Sequence, residues 1–257
     1  MSCMLCDPLS GLERVRYFPR QLITADDMTL EQSYLRQKLR RHNRFLHGWG
    51  VVCGLAVEAA PTAEEPWRVR VCPGYALAPQ GDEIMGGEMV HVDLTTGRSE
   101  PEPCSEPWPC PPRPAPGRRR ARAIVYLAFR YAECHSRPVR VHPAGCGCDD
   151  LACEYSRTRD DFELRVLSAL PRSHEEALKL DQAWCDRLKE WSHKRELPLP
   201  APPCFPCPEE PWVVLARIRL PADSAMIADG DISNDGRRML YSTMALQQMF
   251  LGLGLGP

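Results

Sequence analysis

The sequence predicts an α+β protein: an antiparallel, β-rich core with a long N-terminal amphipathic helix, a second helix near 173–195, and Pro/Cys-rich loops. Three observations predict it. Apolar residues recur at helical spacing over 24–47 and again over 173–196. Short runs rich in valine and isoleucine lie between turn residues. Prolines crowd 100–116 and 197–211, and because proline lacks an N–H and fixes φ, both stretches read as extended loops. They suggest residues 1–98 as a helix-plus-β region, 99–120 as a linker or loop, and 121–257 as a β-rich region with a helix and cysteine loops.

The first helix opens at Thr24, with Asp27 at capping-box distance and Asp26 and Asp27 at the positive end of the helix dipole. Met28, Leu35, Leu39, His42 and Leu46 form one stripe along it, which predicts a packed face with His42 as a hydrogen-bonded core histidine. Arg36, Arg40 and Arg44 recur every four residues on a different face, and Gly48 and Gly50 end the helix. VVCGLAVEA (51–59), WRVRVCPG (67–74) and MVHVDL (89–94) read as strands, with PGYALAPQGDEI (73–84) a turn-rich connector.

Further on, ARAIVYLAFRYAE (121–133), PVRVH (138–142) and FELRVLSAL (162–170) read as strands. The second helix opens with Ser173 and Glu176 as a capping box and turns Ala177, Leu180, Trp184, Leu188 and Trp191 to one side. PWVVLARIRL (211–220) reads as a buried strand, MIADGDISNDGRRML (226–240) as strand and turn, and STMALQQMFLGL as a short apolar helix or docking tail. DGDISNDG lacks the closing glutamate of a calcium loop, and GLGLG lacks the strand that a phosphate loop follows.

Composition narrows the function classes. A formal net charge of −2 over 257 residues supplies no global field toward nucleic acid or an anionic membrane. No apolar run approaches a membrane span and no signal-peptide pattern is visible, so a cytoplasmic protein is expected. The basic helix has charge without stacking aromatics on the same face, which favours packing or partner contact over nucleic-acid binding. Cys53 with His42 or His47 could be drawn as a nucleophilic site, but proximity along the chain supplies neither an activated thiolate nor an oxyanion site.

The stretch YFPRQLITADDMTLEQSYLRQKLRRHNRFLHGWGVVCGL resembles proteins of phage-tail-like contractile injection systems. Their pattern of aromatic, Gly-Gln, Leu, Thr-Ala, Asp is met by Phe18, Gln21, Leu22, Thr24, Ala25 and Asp26, with Arg20 where glycine is usual. PGYALAPQGDEI is similar to their V-x-P-G-x-A-x-D-x-x-G motif through Pro73, Gly74, Ala76 and Gly81, with Ala78 in place of the acidic residue. The resemblance covers residues 15–95 well and carries no catalytic residues. It implies a non-enzymatic structural component, cap, baseplate or adaptor, which binds other subunits and presents Arg36, Arg40 and Arg44 to one of them. Such a protein is assembled in the cytoplasm into a releasable particle, and a homo-oligomer is compatible with that role.

Thirteen cysteines, an odd number, fit metal ligation in a reducing compartment better than a secreted disulfide scaffold. Cys146, Cys148 and Cys153 form a C-x-C-x4-C loop; Cys134 or the Cys204/Cys207 CxxC completes a four-ligand set. A tetrahedral zinc filled by protein thiolates is structural, so zinc would clamp the proline-rich loops without catalysing. Disulfides or free thiols are the other states open to these residues, and Cys3/Cys6 is a further CxxC with no assigned role. The rival functions are a zinc-stabilised nucleic-acid-binding protein and a cysteine-dependent hydrolase or thiol oxidoreductase.

Overall fold

Gly54 and Leu55 send one apolar run into two different sheets. The computed structural model describes residues 11–100, 124–140, 153–194, 209–221 and 225–252. Within it, the single strand expected over 51–59 is two, β1 (Gly50–Gly54) and β2 (Val57–Ala59). Between them φ is +62° at Gly54 and +53° at Leu55. A Cβ at Gly54 would lie 2.2 Å from the Pro73 carbonyl oxygen, so only glycine fits there. Leu55 accepts the left-handed backbone, and its side chain is buried in the core.

The other strands are β3 (Arg68–Val71), β4 (Gly74–Leu77), β5 (Glu83–Gly86), β6 (Val90–Asp93), β7 (Arg98–Glu100), β8 (Ile124–Arg140), β9 (Cys153–Leu167), β10 (Val213–Arg219) and β11 (Ile232–Ser233). They form three sheets, ordered β1-β4-β5, β2-β3-β6-β7 and β11-β10-β8-β9, all by antiparallel pairing. The connector expected over 73–84 is therefore the β4–β5 hairpin. Alternation places the sheets around one core: Val69 faces Val92 and Val71 faces Val90 on the buried side, while Arg70 and His91 point outward. Leu127, Phe129, Leu164, Val213, Leu215 and Ile218 of the third sheet join the same cluster. The first half of β10, residues 213–216, is buried on both faces, as its apolar run predicts.

Among the described residues the α-helices are α1 (Ala25–His42), α2 (Arg172–Lys194) and α3 (Thr243–Gly252). The protein is thus α+β with antiparallel sheets. α2 turns Ala177, Leu180, Trp184, Leu188 and Trp191 inward, buried or half-buried. Its capping box is not formed as expected, because the helix begins one residue earlier and Ser173 is already inside it. Ser173 is buried, and its backbone N–H and hydroxyl donate to Glu210 at 3.3 Å.

Two arginines fasten the segment after β11. Arg237 donates to the carbonyls of Gly54 at 2.6 Å, Leu55 at 2.7 Å and Leu215 at 3.1 Å. Arg238 lies over the Trp49 ring at 4.9 Å, donates to the Trp49 carbonyl and pairs with Asp181 of α2. Backbone bonds from Val51 N to Arg238 O and from Leu240 N to Val51 O, both 2.8 Å, lay this segment along β1. Beside it sits His174, fully buried, with its ring 4.6 Å from Trp49 and Nε2 accepting the Val214 N–H at 3.2 Å. Burial pushes the His174 pKa down to about 4; the Arg238 charge adds to this, and the backbone at Gly236 and Trp212 opposes it.

Candidate docking surface

α1 is built as its sequence predicts at the start and inverted along its length. Thr24 caps it: its Oγ1 accepts the Asp27 N–H at 3.2 Å, and Asp27 Oδ2 accepts the Thr24 N–H at 2.9 Å. Those backbone and side-chain bonds from Thr24 hold the Asp27 carboxyl below its usual range. Yet no residue of α1 is buried. The stripe expected to pack lies outward: Met28, Leu35, Leu39 and Leu46 are exposed, Leu35 at 59% and Leu46 at 69%. His42 is exposed too, stacked edge-on with His47 at 5.3 Å, and is not a core histidine.

What anchors α1 is its polar side. Arg40 Nε donates to Asp82 Oδ1 at 2.6 Å, reaching the turn between β4 and β5. Arg36 pairs with Glu133 of β8. One turn later the helix relaxes into a π-helical turn, Asn43–His47, in which Asn43 is buried and its Nδ2 donates to Gly81 O at 2.9 Å. Gly48 then ends it at φ +84°. The close approach depends on Gly81, where φ is +96° and a Cβ would lie 2.3 Å from the Arg40 carbonyl oxygen. Gly74 plays the matching part across the hairpin, since a Cβ there would lie 2.4 Å from the Cys53 carbonyl oxygen.

The quoted motif residues thus have geometric work. Pro73–Gly74 and Gly81 frame the hairpin on which α1 sits, and Arg20, at the usual glycine position, has φ +70°. Between them, the segment before the helix exposes Tyr17, Phe18, Leu22 and Ile23, extending the outward apolar surface of α1. Arg14 and Lys38 flank the Tyr34 ring at 5.9 and 5.8 Å, and Val15 N donates to Glu31 at 3.3 Å.

The three arginines expected to face a partner each meet a group of their own chain. Arg36 and Arg40 meet carboxylates of their own chain, and Arg44 lies over the Phe45 ring at 4.6 Å. The apolar stripe, expected to pack, is what faces out.

Beside α1 stands an arm that sequence reasoning broke in two. β8 runs straight through the run read as separate strands, and β9 pairs with it from Tyr126↔Leu167 to Arg140↔Cys153. The pairing of β8 with β10 ends at Phe129, so among the described residues the outer part is a two-stranded ribbon of roughly 30 Å at about 3.3 Å per residue. Its root is tied to α1. Glu133 receives Arg36 and lies 3.1 Å from the Tyr131 hydroxyl, which donates its proton to Asp160 at 2.6 Å. Burial, then the bond to Asp160, raise the Tyr131 pKa.

Of the expected metal ligands, Cys146, Cys148, Cys204 and Cys207 lie outside the described residues, and Cys153 opens β9 opposite Arg140. Cys134 is buried within the ribbon, its Sγ 3.3 Å from Asp161 Oδ2, and is disulfide-bonded. Among the described residues no cluster of three or more histidines, cysteines and carboxylates is placed to hold a metal ion. Cys53, Cys72 and Cys185 are free thiols, and among the described residues no hydrogen bond joins Cys53 to His42 or His47. No described helix is long and apolar enough to cross a membrane.

No family model matches the chain, and neither does any curated protein. Among solved structures it is similar to a crystal structure of TssK, at 11% identity and a TM-score of 0.30. The likeness covers 74% of this chain and 51% of that one, about half its length, and a superposition that loose establishes no shared fold.

Proposed function

We propose that this protein is a non-enzymatic structural component of a phage-tail-like contractile injection particle, docking onto other particle subunits through the outward face of α1. One observation carries the reading. A capped helix is anchored by its polar side at Gly81, Asp82 and Glu133, and turns Met28, Leu35, Leu39 and Leu46 to the outside. A contiguous apolar strip held rigidly at a surface is the preformed half of a helix-in-groove or helix–helix contact. The motif resemblance supplies the class of partner, and one of its residues, Gly81, belongs to the anchor. The Arg-lined side belongs to the internal anchor in this reading, with the half-exposed Arg36 as the residue able to exchange Glu133 for a partner carboxylate.

The zinc clamp belongs to the same proposal. Cys134, being in a disulfide, leaves the set, and the four thiolates of a closed site would come from those of Cys146, Cys148, Cys153, Cys204 and Cys207 that do not pair with it. Zinc near one equivalent per chain after purification without chelator supports the clamp. A zinc-free protein with no free thiol in those loops sinks it in favour of disulfides.

Docking is tested by co-purifying the full chain with purified sheath, tube and baseplate subunits of such a particle. Capture of one of them, and its loss in Leu35→Asp/Leu39→Asp with the circular dichroism spectrum unchanged, is the expected result. Failure to bind any of them overturns the reading.

A further inference from the structure

The π-helical turn that ends α1 brings two histidines together. In an α-helix, side chains five residues apart point about 140° away from each other. In the Asn43–His47 turn the Gly48 N–H donates to the Asn43 carbonyl, five residues back, at 3.0 Å. Bonding at that interval carries side chains five apart round to one side. His42 and His47 are such a pair. Both are exposed, and their ring centres lie 5.3 Å apart with the planes at 60°. Among the described residues, neither ring has a hydrogen-bond partner.

Two imidazoles bound to one tetrahedral zinc, through nitrogens about 2.0 Å from the ion, have ring centres about 5 Å apart. The pair thus stands at a chelating separation, which turning of two exposed rings is enough to use. It also lies at the end of a helix, where the negative end of the dipole favours a cation. The turn itself is fixed by Asn43, which is buried and bonded to Gly81.

We infer that His42 and His47 form an open, two-histidine site for a borderline divalent transition-metal ion of the zinc class. Imidazole nitrogen suits such ions, whereas magnesium and calcium take oxygen ligands. Two protein ligands leave the other positions to water, which sets this site apart from a closed thiolate clamp. His42 continues the line of Leu35 and Leu39, so the water-held positions lie beside the exposed strip of α1.

The test measures zinc bound to the full chain by elemental analysis after equilibrium dialysis against micromolar zinc, beside His42→Ala/His47→Ala. Thiolates are the same in both proteins and cancel in the difference. The wild type is expected to hold one equivalent more than the double variant. Either single variant should weaken that equivalent at least tenfold, because a lone imidazole loses the gain of intramolecular chelation. The imidazole NMR resonances of His42 and His47 should shift together on adding zinc and stay unmoved by magnesium. Unchanged circular dichroism establishes that each variant is folded. Equal zinc content in wild type and double variant overturns the inference, as does movement of one ring without the other. A missing thiolate clamp lowers the zinc of both proteins alike and leaves the difference standing, so the two metal proposals fail separately.

Discussion

Arg237 ties two strands, β1 and β10, and the link that leaves β1. Its guanidinium is buried deeply enough for burial to lower its pKa, and it satisfies carbonyls of Gly54, Leu55 and Leu215. Leu215 lies at the register shift between Val214 and Ala216, where the ladder to β8 is interrupted. Arg237→Ala is expected to cost about 3 kcal/mol, since buried carbonyls left without a donor each cost on the order of 1–3 kcal/mol. Urea unfolding measures it. His174 works at the same bulge by accepting the Val214 N–H, which requires the neutral ring. Its folded pKa, about 4, lies below the ordinary 6.5. The stability it contributes is therefore complete above about pH 6.5 and lost as pH falls toward 4, where the unfolded chain takes up the proton first. A loss of about 3 kcal/mol over that window, absent in His174→Gln, is the expected difference. Neither role was legible beforehand. Both residues sit in ordinary helix and turn sequence, and the backbone groups they serve are left over by a bulge that no local pattern announces.

At the scale of elements, α1 and the β4–β5 hairpin form one unit, and Gly81 is its joint. Gly81→Ala would place a methyl 2.3 Å from the Arg40 carbonyl and strain a φ of +96°. Hydrogen exchange in α1 is expected to rise at least tenfold on that change while β3 and β6 keep their protection. By contrast Leu35→Asp, on an exposed site, should leave the unfolding midpoint within about 0.5 kcal/mol of wild type. A Leu127→Ala change in the core should cost about 2–5 kcal/mol. The same two helices also mark how far periodicity reaches. In α2 the stripe of Ala177, Leu180, Trp184, Leu188 and Trp191 faces the protein as predicted. In α1 an equally regular stripe faces away. Periodicity reports that a helix has an apolar side; it does not report whether that side meets its own core or another molecule.

For the whole molecule, the three sheets share a single core that draws from residues 49–94 and 124–227 alike. The strands with clean alternation or unbroken valine runs, β3, β6 and β10, lie where their residues placed them, because burial of side chains two apart needs no knowledge of distant chain. The split of 51–59 between sheets and the fusion of 121–133 with 138–142 into the β8 arm were set by pairing partners far away in sequence. Thus local composition alone determined the α+β class, the capped start of α1, the inward stripe of α2 and the buried centre of β10. Tertiary structure alone decided that Arg36 and Arg40 of α1 pair with carboxylates of their own chain and that its leucines lie outward. The physical reason is that Asp82, Gly81 and Glu133 offer that helix a polar seat, and which side of a helix is inside depends on what it is laid against.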